Sequence, residues 1–315
     1  MIETQRGTTI KGINLPSMLV NTRQDDITGR SFAPASEPAT HDGRDPLIEI
    51  LTLARLRASG DAPALARPFR SDRHCLLTLT SGAMRHSVDF TEHALAPTQW
   101  LWARPGQVQQ WRGLDQAEGI VIRFATEFLD PDTAIGVCVD DPHAPAVRVP
   151  QKDDHALLRA ATTQLQWEHS ADRLALDTRL QVLRHLLAVL VLRVASLPAP
   201  QAGPDPSEVY LAFRDAVERD FANSRRLSDY AEALAYSPRT LSRATLAAAG
   251  IPAKEFIDRR VILEAKRMLA CSPIPAARIG ERLGFSSATN FNKFFAQRTG
   301  TTPIAFRAAA QSQGS

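Results

Sequence analysis

Cysteine is scarce in this sequence, which has three cysteines in 315 residues: Cys75, Cys138 and Cys271. Their separations fit neither a zinc site nor a redox pair. So few cysteines in a chain of this length also exclude a disulfide-stabilised secreted scaffold. We therefore expect a protein of a reducing compartment, the cytoplasm.

Long apolar runs are also missing. The longest contains Leu186–Val191, stops before Arg193 and is much too short to cross a bilayer. Near the N-terminus, Lys11 and Pro16 interrupt the apolar positions and leave no core of signal-peptide length. Neither export nor a membrane partner is expected.

What the sequence does contain is one pattern written twice. The first copy spans Leu227–Phe256 and the second spans Ile274–Phe306. Corresponding positions carry similar residues: Leu234 and Leu283, Tyr236 and Phe285, Ser237 and Ser286, Leu241 and Phe291, Gly250 and Gly300, Phe256 and Phe306. Each copy predicts a short amphipathic helix, a tight turn and a second helix with a polar outer face, which is a helix-turn-helix unit.

The residue types suit such a unit. Two helices that cross steeply need a small residue at their contact, and Ala231 and Gly280 occupy that place. Ser237 and Ser286 precede the second helix of each copy, where a hydroxyl caps free backbone N–H groups. Pro238 suits the first helical position, where its missing N–H would be unpaired anyway.

The second helix of each copy carries the residues that we expect to contact double-stranded DNA. They are Arg239, Thr240, Ser242 and Arg243 in the first copy, and Ala288, Thr289, Asn290, Asn292 and Lys293 in the second. Arginine, asparagine and threonine read base edges in a major groove, whereas lysine holds phosphates. Leu241 and Phe291 are expected to face the core instead.

The segment between the copies, Lys254–Cys271, has apolar residues at three- and four-residue steps, which predicts one continuous helix. At 1.5 Å per residue it would be roughly 27 Å long and would hold the two recognition helices about one DNA turn, roughly 34 Å, apart. From Pro206 onward there are sixteen Lys and Arg against ten Asp and Glu, whereas residues 1–205 have twenty-one against twenty-four. The basic excess is therefore confined to the predicted DNA-binding end.

Residues 207–311 resemble the DNA-binding domain of AraC/XylS-type transcriptional regulators. The resemblance is carried by Ile279–Arg307, which has a Gly-Phe pair, aromatics along the recognition helix and a terminal Gly-x-x-Pro in the family's order. It implies an activator that contacts RNA polymerase near a promoter. The chain departs from the pattern at Ala235, where a turn glycine is common, at Gly280, where alanine is common, and at Ala253, where proline is common.

The rest of the chain divides by pattern. Residues 1–45 are interpreted as a loosely ordered arm, rich in Gly, Pro, Ser, Thr and charge. Within residues 46–149, short runs bounded by Gly and Pro predict the strands of a small antiparallel barrel or sandwich: His74–Gly82, Gln99–Gly106 and Gly119–Phe124. Residues 150–197 predict two helices, Lys152–His169 and Ala171–Leu197, and residues 198–206 have the composition of an exposed linker.

The segments Pro105–Trp111 and Ala117–Phe124 are similar to the cupin-like sensor domains that precede this type of DNA-binding domain. The resemblance implies that residues 46–149 sense a small-molecule effector. In many relatives a histidine stands at the position of Gln109, so an effector contact made by that histidine is not carried over. The candidate effector-binding residues are His74, Trp100, Trp102, Arg104, Gln109 and Trp111.

Two arginines, Arg104 and Arg123, would suit an organic acid as effector if both face the interior. Strand alternation puts Trp100, Trp102 and Arg104 on one face of their strand. The pattern leaves open whether that face is the interior or packs against a neighbouring helix.

A cupin barrel is also an enzyme scaffold. Metal-dependent cupins need a His-x-His pair followed by a glutamate and a further histidine. Here His74, His86 and His93 are isolated. We therefore expect no metal, no cofactor and no catalytic activity.

The second predicted helix of residues 150–197 has an apolar seam at alternating four- and three-residue steps. Its members are Leu176, Leu180, Leu183, Leu187, Leu190 and Val194. Two interpretations stay open: the interface of a homodimer, as the resemblance implies, or a helix that packs on the protomer's own barrel.

The whole sequence predicts an α+β protein with an N-terminal cupin-like β-barrel, a helical dimerisation segment and a C-terminal all-α domain with two helix-turn-helix units. Its expected function is sequence-specific, effector-responsive activation of transcription. The alternatives are a repressor and a metal-dependent cupin enzyme fused to a DNA-binding domain.

Overall fold

A computed structural model of the chain describes residues 47–171, 173–200 and 206–312. The predicted arm, residues 1–45, and residues 201–205 of the predicted linker lie outside the described residues.

The N-terminal part of the described chain is built from antiparallel strands. Their bounds are β1 (Ile48–Thr52), β2 (Phe69–Arg70), β3 (His74–Gly82), β4 (Met84–Val88), β5 (Thr91–Leu95), β6 (Trp100–Ala103), β7 (Val108–Arg112), β8 (Ala117–Phe124) and β9 (Val147–Arg148). One sheet has the order β1-β8-β3-β6-β9 and the other the order β2-β7-β4-β5. Short helices lie between strands: α1 (Leu53–Ala58), α2 (Ala62–Leu65) and α3 (Pro131–Gly136).

The first sheet is buried on both faces. Alternate residues of a strand point to opposite sides of a sheet, so each strand contributes to two different cores. Leu77 and Val121 face the second sheet and form one core with its Val88. Leu76 and Phe124 belong to a different core, on the side of the helices that follow. The predicted strands and the α+β class are confirmed. Among the described residues no ladder joins the two sheets, so the cupin-like barrel is an open pair of facing sheets.

Two long helices follow the strands, α4 (Asp154–Ser170) and α5 (Leu176–Ser196). On α5 four of the predicted seam residues, Leu183, Leu187, Leu190 and Val194, are at most 1% exposed and pack in the core beneath the first sheet. Leu180 is partly buried against the same core, and Leu176 is exposed.

The assignment of this seam to a dimer interface therefore needs correction. Its buried members face the protomer's own sheet. A heptad pattern predicts an apolar stripe on the helix but does not indicate which surface covers that stripe. A homodimer stays a prediction and needs another contact surface.

The C-terminal part of the described chain is helical. The bounds are α6 (Glu208–Asp220), α7 (Leu227–Ala233), α8 (Pro238–Ala249), α9 (Ala253–Cys271), α10 (Ala276–Arg282), α11 (Ala288–Thr299) and α12 (Pro303–Ser312). Helices α7 and α8 are the first copy of the duplicated pattern, and α10 and α11 are the second. The continuous helix predicted between them is confirmed as α9, which begins one residue earlier than expected. No helix in the described ranges is both long and apolar enough to span a membrane.

Truncating a seam leucine tests its place in the protomer core. Leu183→Ala should destabilise the protein by about 2–5 kcal/mol, because it leaves a cavity under the sheet. Leu192, on the same helix, is 45% exposed. Leu192→Ala should change the free energy of unfolding by less than about 0.5 kcal/mol. Urea unfolding at two protein concentrations measures both. If Leu183→Ala kept wild-type stability and lost only self-association, these leucines would be an interface after all.

Candidate nucleic-acid interface and sensor interior

Both recognition helices begin at a serine cap. Ser237 Oγ accepts a hydrogen bond from the Thr240 N–H at 3.0 Å at the start of α8. At the start of α11 the cap is Ser287, whose Oγ accepts from the Asn290 N–H at 3.2 Å. The predicted cap at Ser286 is therefore wrong by one residue, because the sequence offers two adjacent serines and α11 begins after the second. Ser286 Oγ instead accepts from the Asn290 side-chain amide at 3.1 Å.

The crossing of α10 and α11 requires the small residue that the sequence predicts. A Cβ atom at Gly280 would lie 2.8 Å from Phe291 Cβ, so only glycine fits against this aromatic ring. In the first copy the corresponding pair is Ala231 and Leu241. Ala231 is larger than Gly280, and Leu241 is smaller than Phe291. The sequence departure at Gly280 is thus matched to a bulkier partner.

The turns of the two copies share one backbone conformation. Gly284 has φ +74°, and Ala235, at the equivalent position, has φ +56°. This left-handed region is natural for glycine and strained for alanine. The first turn keeps the shape of the second at an energetic cost.

The predicted DNA-contact residues share the outer face of the two recognition helices. Seven are exposed (Arg239, Arg243, Ala288, Thr289, Asn290, Asn292 and Lys293), and two are half-exposed (Thr240 and Ser242). The residues predicted to face inward, Leu241 and Phe291, are completely buried. Each helix therefore buries one side in the core and leaves a polar side free for a partner.

A second group of polar side chains lies between the two sheets. Glu49 and Arg123 come from the first sheet, and His86, Gln109 and Trp111 come from the second. All five are at most 7% exposed, and we call them the interior polar cluster. Arg123 and Glu49 form an ion pair at 3.3 Å. The rings of His86 and Trp111, which are cross-strand partners, have centroids 5.0 Å apart.

The second-sheet members of this cluster have unmet hydrogen-bonding capacity. His86 and Gln109 lie close enough to interact with each other. Even so, both ring nitrogens of His86, both amide atoms of Gln109 and the indole N–H of Trp111 form no well-aligned hydrogen bond with any described residue. Buried polar groups normally have a partner, so donors and acceptors aimed into an interior point to a ligand or to water. Burial, followed by the repulsion from His93, lowers the pKa of His86 to about 3. At neutral pH the imidazole is neutral and offers one donor and one acceptor.

The remaining predicted effector residues lie elsewhere. Trp102 Nε1 donates to His74 Nδ1 at 3.2 Å, and the His74 ring stacks on Phe124. Arg104 lies over the Trp102 ring, 4.7 Å from its centroid. Trp100 and Trp102 belong to the core on the helix side of the first sheet.

The structure thus splits the predicted effector residues into two groups. Gln109 and Trp111 face the interior, whereas His74, Trp100, Trp102 and Arg104 lie on the opposite face of the first sheet. Sequence reasoning missed Glu49 and His86, which only the pairing of distant strands brings beside Gln109. In the described ranges no group of three or more His, Cys, Asp or Glu is arranged to hold a metal ion.

Residues 230–309 match the helix-turn-helix domain family, a range that includes both recognition helices and α9. The C-terminal unit is an AraC-type helix-turn-helix domain. No curated protein matches the chain.

Some solved structures with similarity to the chain cover about a third of it, and others cover most of it. The C-terminal domain of AraT, a response regulator from Geobacillus stearothermophilus, is 24% identical, with 33% of this chain and 87% of that chain covered and a TM-score of 0.31. The C-terminal domain of the response regulator YesN from Fusobacterium nucleatum is 24% identical, with 32% and 99% covered and a TM-score of 0.30. ToxT from Vibrio cholerae O395 is 9% identical, with 85% and 99% covered and a TM-score of 0.43.

Replacing His86 should make the protein less sensitive to acid. The unfolded chain takes up a proton near the ordinary histidine pKa of 6.5, whereas folded His86 does so only near 3. This contribution to stability is present above pH 6.5 and is lost as the pH falls, by up to about 2 kcal/mol at pH 5. The His86→Gln variant should lack this pH-dependent contribution and should therefore lose less stability in acid. Urea unfolding at pH 7.5 and pH 5 measures the difference, and an equal acid loss in the two proteins would contradict the assignment.

Proposed function

We propose that the protein is a sequence-specific DNA-binding transcriptional regulator that responds to a small-molecule effector. The observation that carries the proposal is the pair of exposed polar faces, on α8 and α11, joined by one continuous helix. With 19 residues, α9 is roughly 28 Å long. A DNA turn is about 34 Å, so the two faces suit successive major-groove segments on one side of a duplex.

The residues of these faces suit different contacts with DNA, according to their side-chain chemistry. Arg239 and Arg243 have the geometry for paired hydrogen bonds to guanine. Asn290 already donates to Ser286, which fixes its side chain and leaves its carbonyl oxygen to accept from the exocyclic amine of a base. Lys293, a compact and strongly hydrated charge, suits a phosphate.

We place the effector between the sheets, at the interior polar cluster. The charges of Glu49 and Arg123 compensate each other, and His86 is neutral, so the groups left for a ligand are uncharged donors and acceptors. A carboxylate brought beside Glu49 would be desolvated without a free cation to pair with. The cluster therefore favours an uncharged polar effector over the organic acid suggested by the sequence.

The direction of regulation follows from the AraC-type resemblance, which implies activation through RNA polymerase by a homodimer. Repression is the alternative. Deleting the gene lowers the expression of its target genes if the protein is an activator and raises it if the protein is a repressor.

Base reading and phosphate contact predict different mutational effects. Arg243→Ala should weaken binding to a duplex selected from a random library by about 1–3 kcal/mol and leave binding to unselected DNA unchanged. Lys293→Ala should weaken both equally and reduce the salt slope by about one. Fluorescence anisotropy at several salt concentrations measures both, with Arg259→Ala as control, since Arg259 is exposed on α9 and paired with Glu255 of the same helix. Equal losses on both duplexes for Arg243→Ala would sink its base-reading role.

The effector proposal is tested by titrating the full chain with neutral monosaccharides and polyols, and with straight-chain carboxylic acids of matched size. We expect a response to a member of the neutral set only. At a hundred times its Kd, a ligand adds about 2.7 kcal/mol of stability, seen as a higher melting temperature. Gln109→Leu should abolish this gain. Trp167→Phe, which removes a 75% exposed tryptophan, should leave it intact. A response to acids that survives Gln109→Leu would move the site to Arg104 and Trp102.

A further inference from the structure

The turn between β4 and β5 has an unfavourable backbone conformation. Val88 pairs with Thr91, so the loop consists of Asp89 and Phe90 alone, with φ values of +50° and +66°. Such a turn normally uses Asn-Gly, because both residues are left-handed. A phenylalanine there has no local means of offsetting the strain.

This strained turn is held by contacts with two C-terminal helices and with the start of β7. The Phe90 ring meets Phe306 of α12 edge to face, with centroids 5.6 Å apart. Asp89 accepts two hydrogen bonds from the Arg267 guanidinium of α9, at 2.8 and 2.7 Å. It also accepts from the Gln107 side chain at 2.9 Å and from the Val108 N–H at 3.1 Å. One carboxylate therefore ties two strands of the sensor to the helix between the two DNA-binding units.

A second carboxylate, on α9, completes the contact. Glu264 accepts from Arg70 of β2 at 2.9 Å and from Arg267 at 3.2 Å. Burial alone raises the pKa of Glu264, but Arg70, Arg267 and Arg260 outweigh that effect and lower it to about 2. The glutamate is thus charged at neutral pH and binds an arginine from each side. We call this set of contacts, made by Arg70, Asp89 and Phe90 with Glu264, Arg267 and Phe306, the latch.

The second-sheet members of the interior polar cluster lie on the two strands that adjoin Asp89, since β4 ends one residue before Asp89 and Val108 of β7 donates to its carboxylate. His86 of β4 is three residues before Asp89, and Gln109 of β7 directly follows Val108. The Val108 side chain packs with Ala270 and Cys271 at the end of α9, whereas Gln109 faces the interior. A shift of either strand by a molecule in the interior therefore moves the latch as well.

We propose that the β4–β5 turn is a strained latch that closes the sensor on α9, and that occupancy of the sensor interior acts through this latch on the two DNA-binding units. The base-reading faces of α8 and α11 contribute no residue to the latch and stay exposed when it is closed. Closing therefore restrains α9 and does not cover the DNA-binding surface. The coupling to the interior rests on the proposed function, whereas the latch itself does not.

Asp89→Asn tests the latch in the full chain. Asparagine tolerates the left-handed turn and still accepts from the Val108 N–H, but it cannot form the ion pair with Arg267. We expect amide hydrogen exchange to become about tenfold or more faster in both the β4–β5 hairpin and α9. Arg259→Gln, on the exposed side of α9, is the control and should leave exchange unchanged. Faster exchange confined to the hairpin, or no change at all, overturns the latch.

Two interior variants, His86→Gln and Gln109→Met, test the coupling, with circular dichroism as the check on folding. We expect altered exchange in α9 for both. Arg85→Gln is the matched control, since Arg85 lies beside His86 on β4 with its side chain 68% exposed, and should have no effect on α9. The coupling is overturned if amide exchange in α9 is unchanged in a folded interior variant while Asp89→Asn still makes that exchange faster. A failure of the DNA-binding or effector titrations would instead overturn the proposed function and leave the latch standing.

Discussion

The packing of helix α9 is the constraint on which the rest of the structure depends. Its Ile257, Val261 and Leu269 lie in one core with Leu241 of the first recognition helix and Phe291 of the second. Its buried Asp258 forms ion pairs with Lys254 of the same helix and with Arg298 at the end of α11. Because both copies pack on one helix, neither recognition helix can move far without the other, and a contact made to α9 by the sensor reaches both.

The features that the sequence predicts well are local and periodic. The duplication, the serine cap of α8 and the continuous helix between the copies all follow from residue spacing within a few turns. Gly280 is another such feature. The sequence predicts a small residue at the helix crossing, and Gly280 lies against Phe291 with no room for a Cβ. Strands such as β3 were predictable because Gly and Pro bound short runs rich in β-formers.

The features that the sequence does not predict depend on which distant surfaces meet. The leucine stripe of α5 has the spacing of a dimer seam, but spacing cannot distinguish a partner helix from the protomer's own sheet. For the same reason, the sequence leaves open whether Trp100 and Trp102 face the interior or a neighbouring helix. Asp89 and Arg267 are 178 residues apart, and nothing local marks either as a member of an ion pair. The two-residue turn at Asp89 and Phe90 is likewise seen only in the structure, because neither residue is typical of such a turn.

The central claim is that one chain presents two recognition helices to successive major-groove segments. Methylation interference at guanine N7, on a duplex selected by the full chain, tests this claim most directly, because N7 lies in the major groove. The account predicts two patches of interference about 10 base pairs apart on one face of the duplex. A single patch, or two patches on opposite faces, would contradict it.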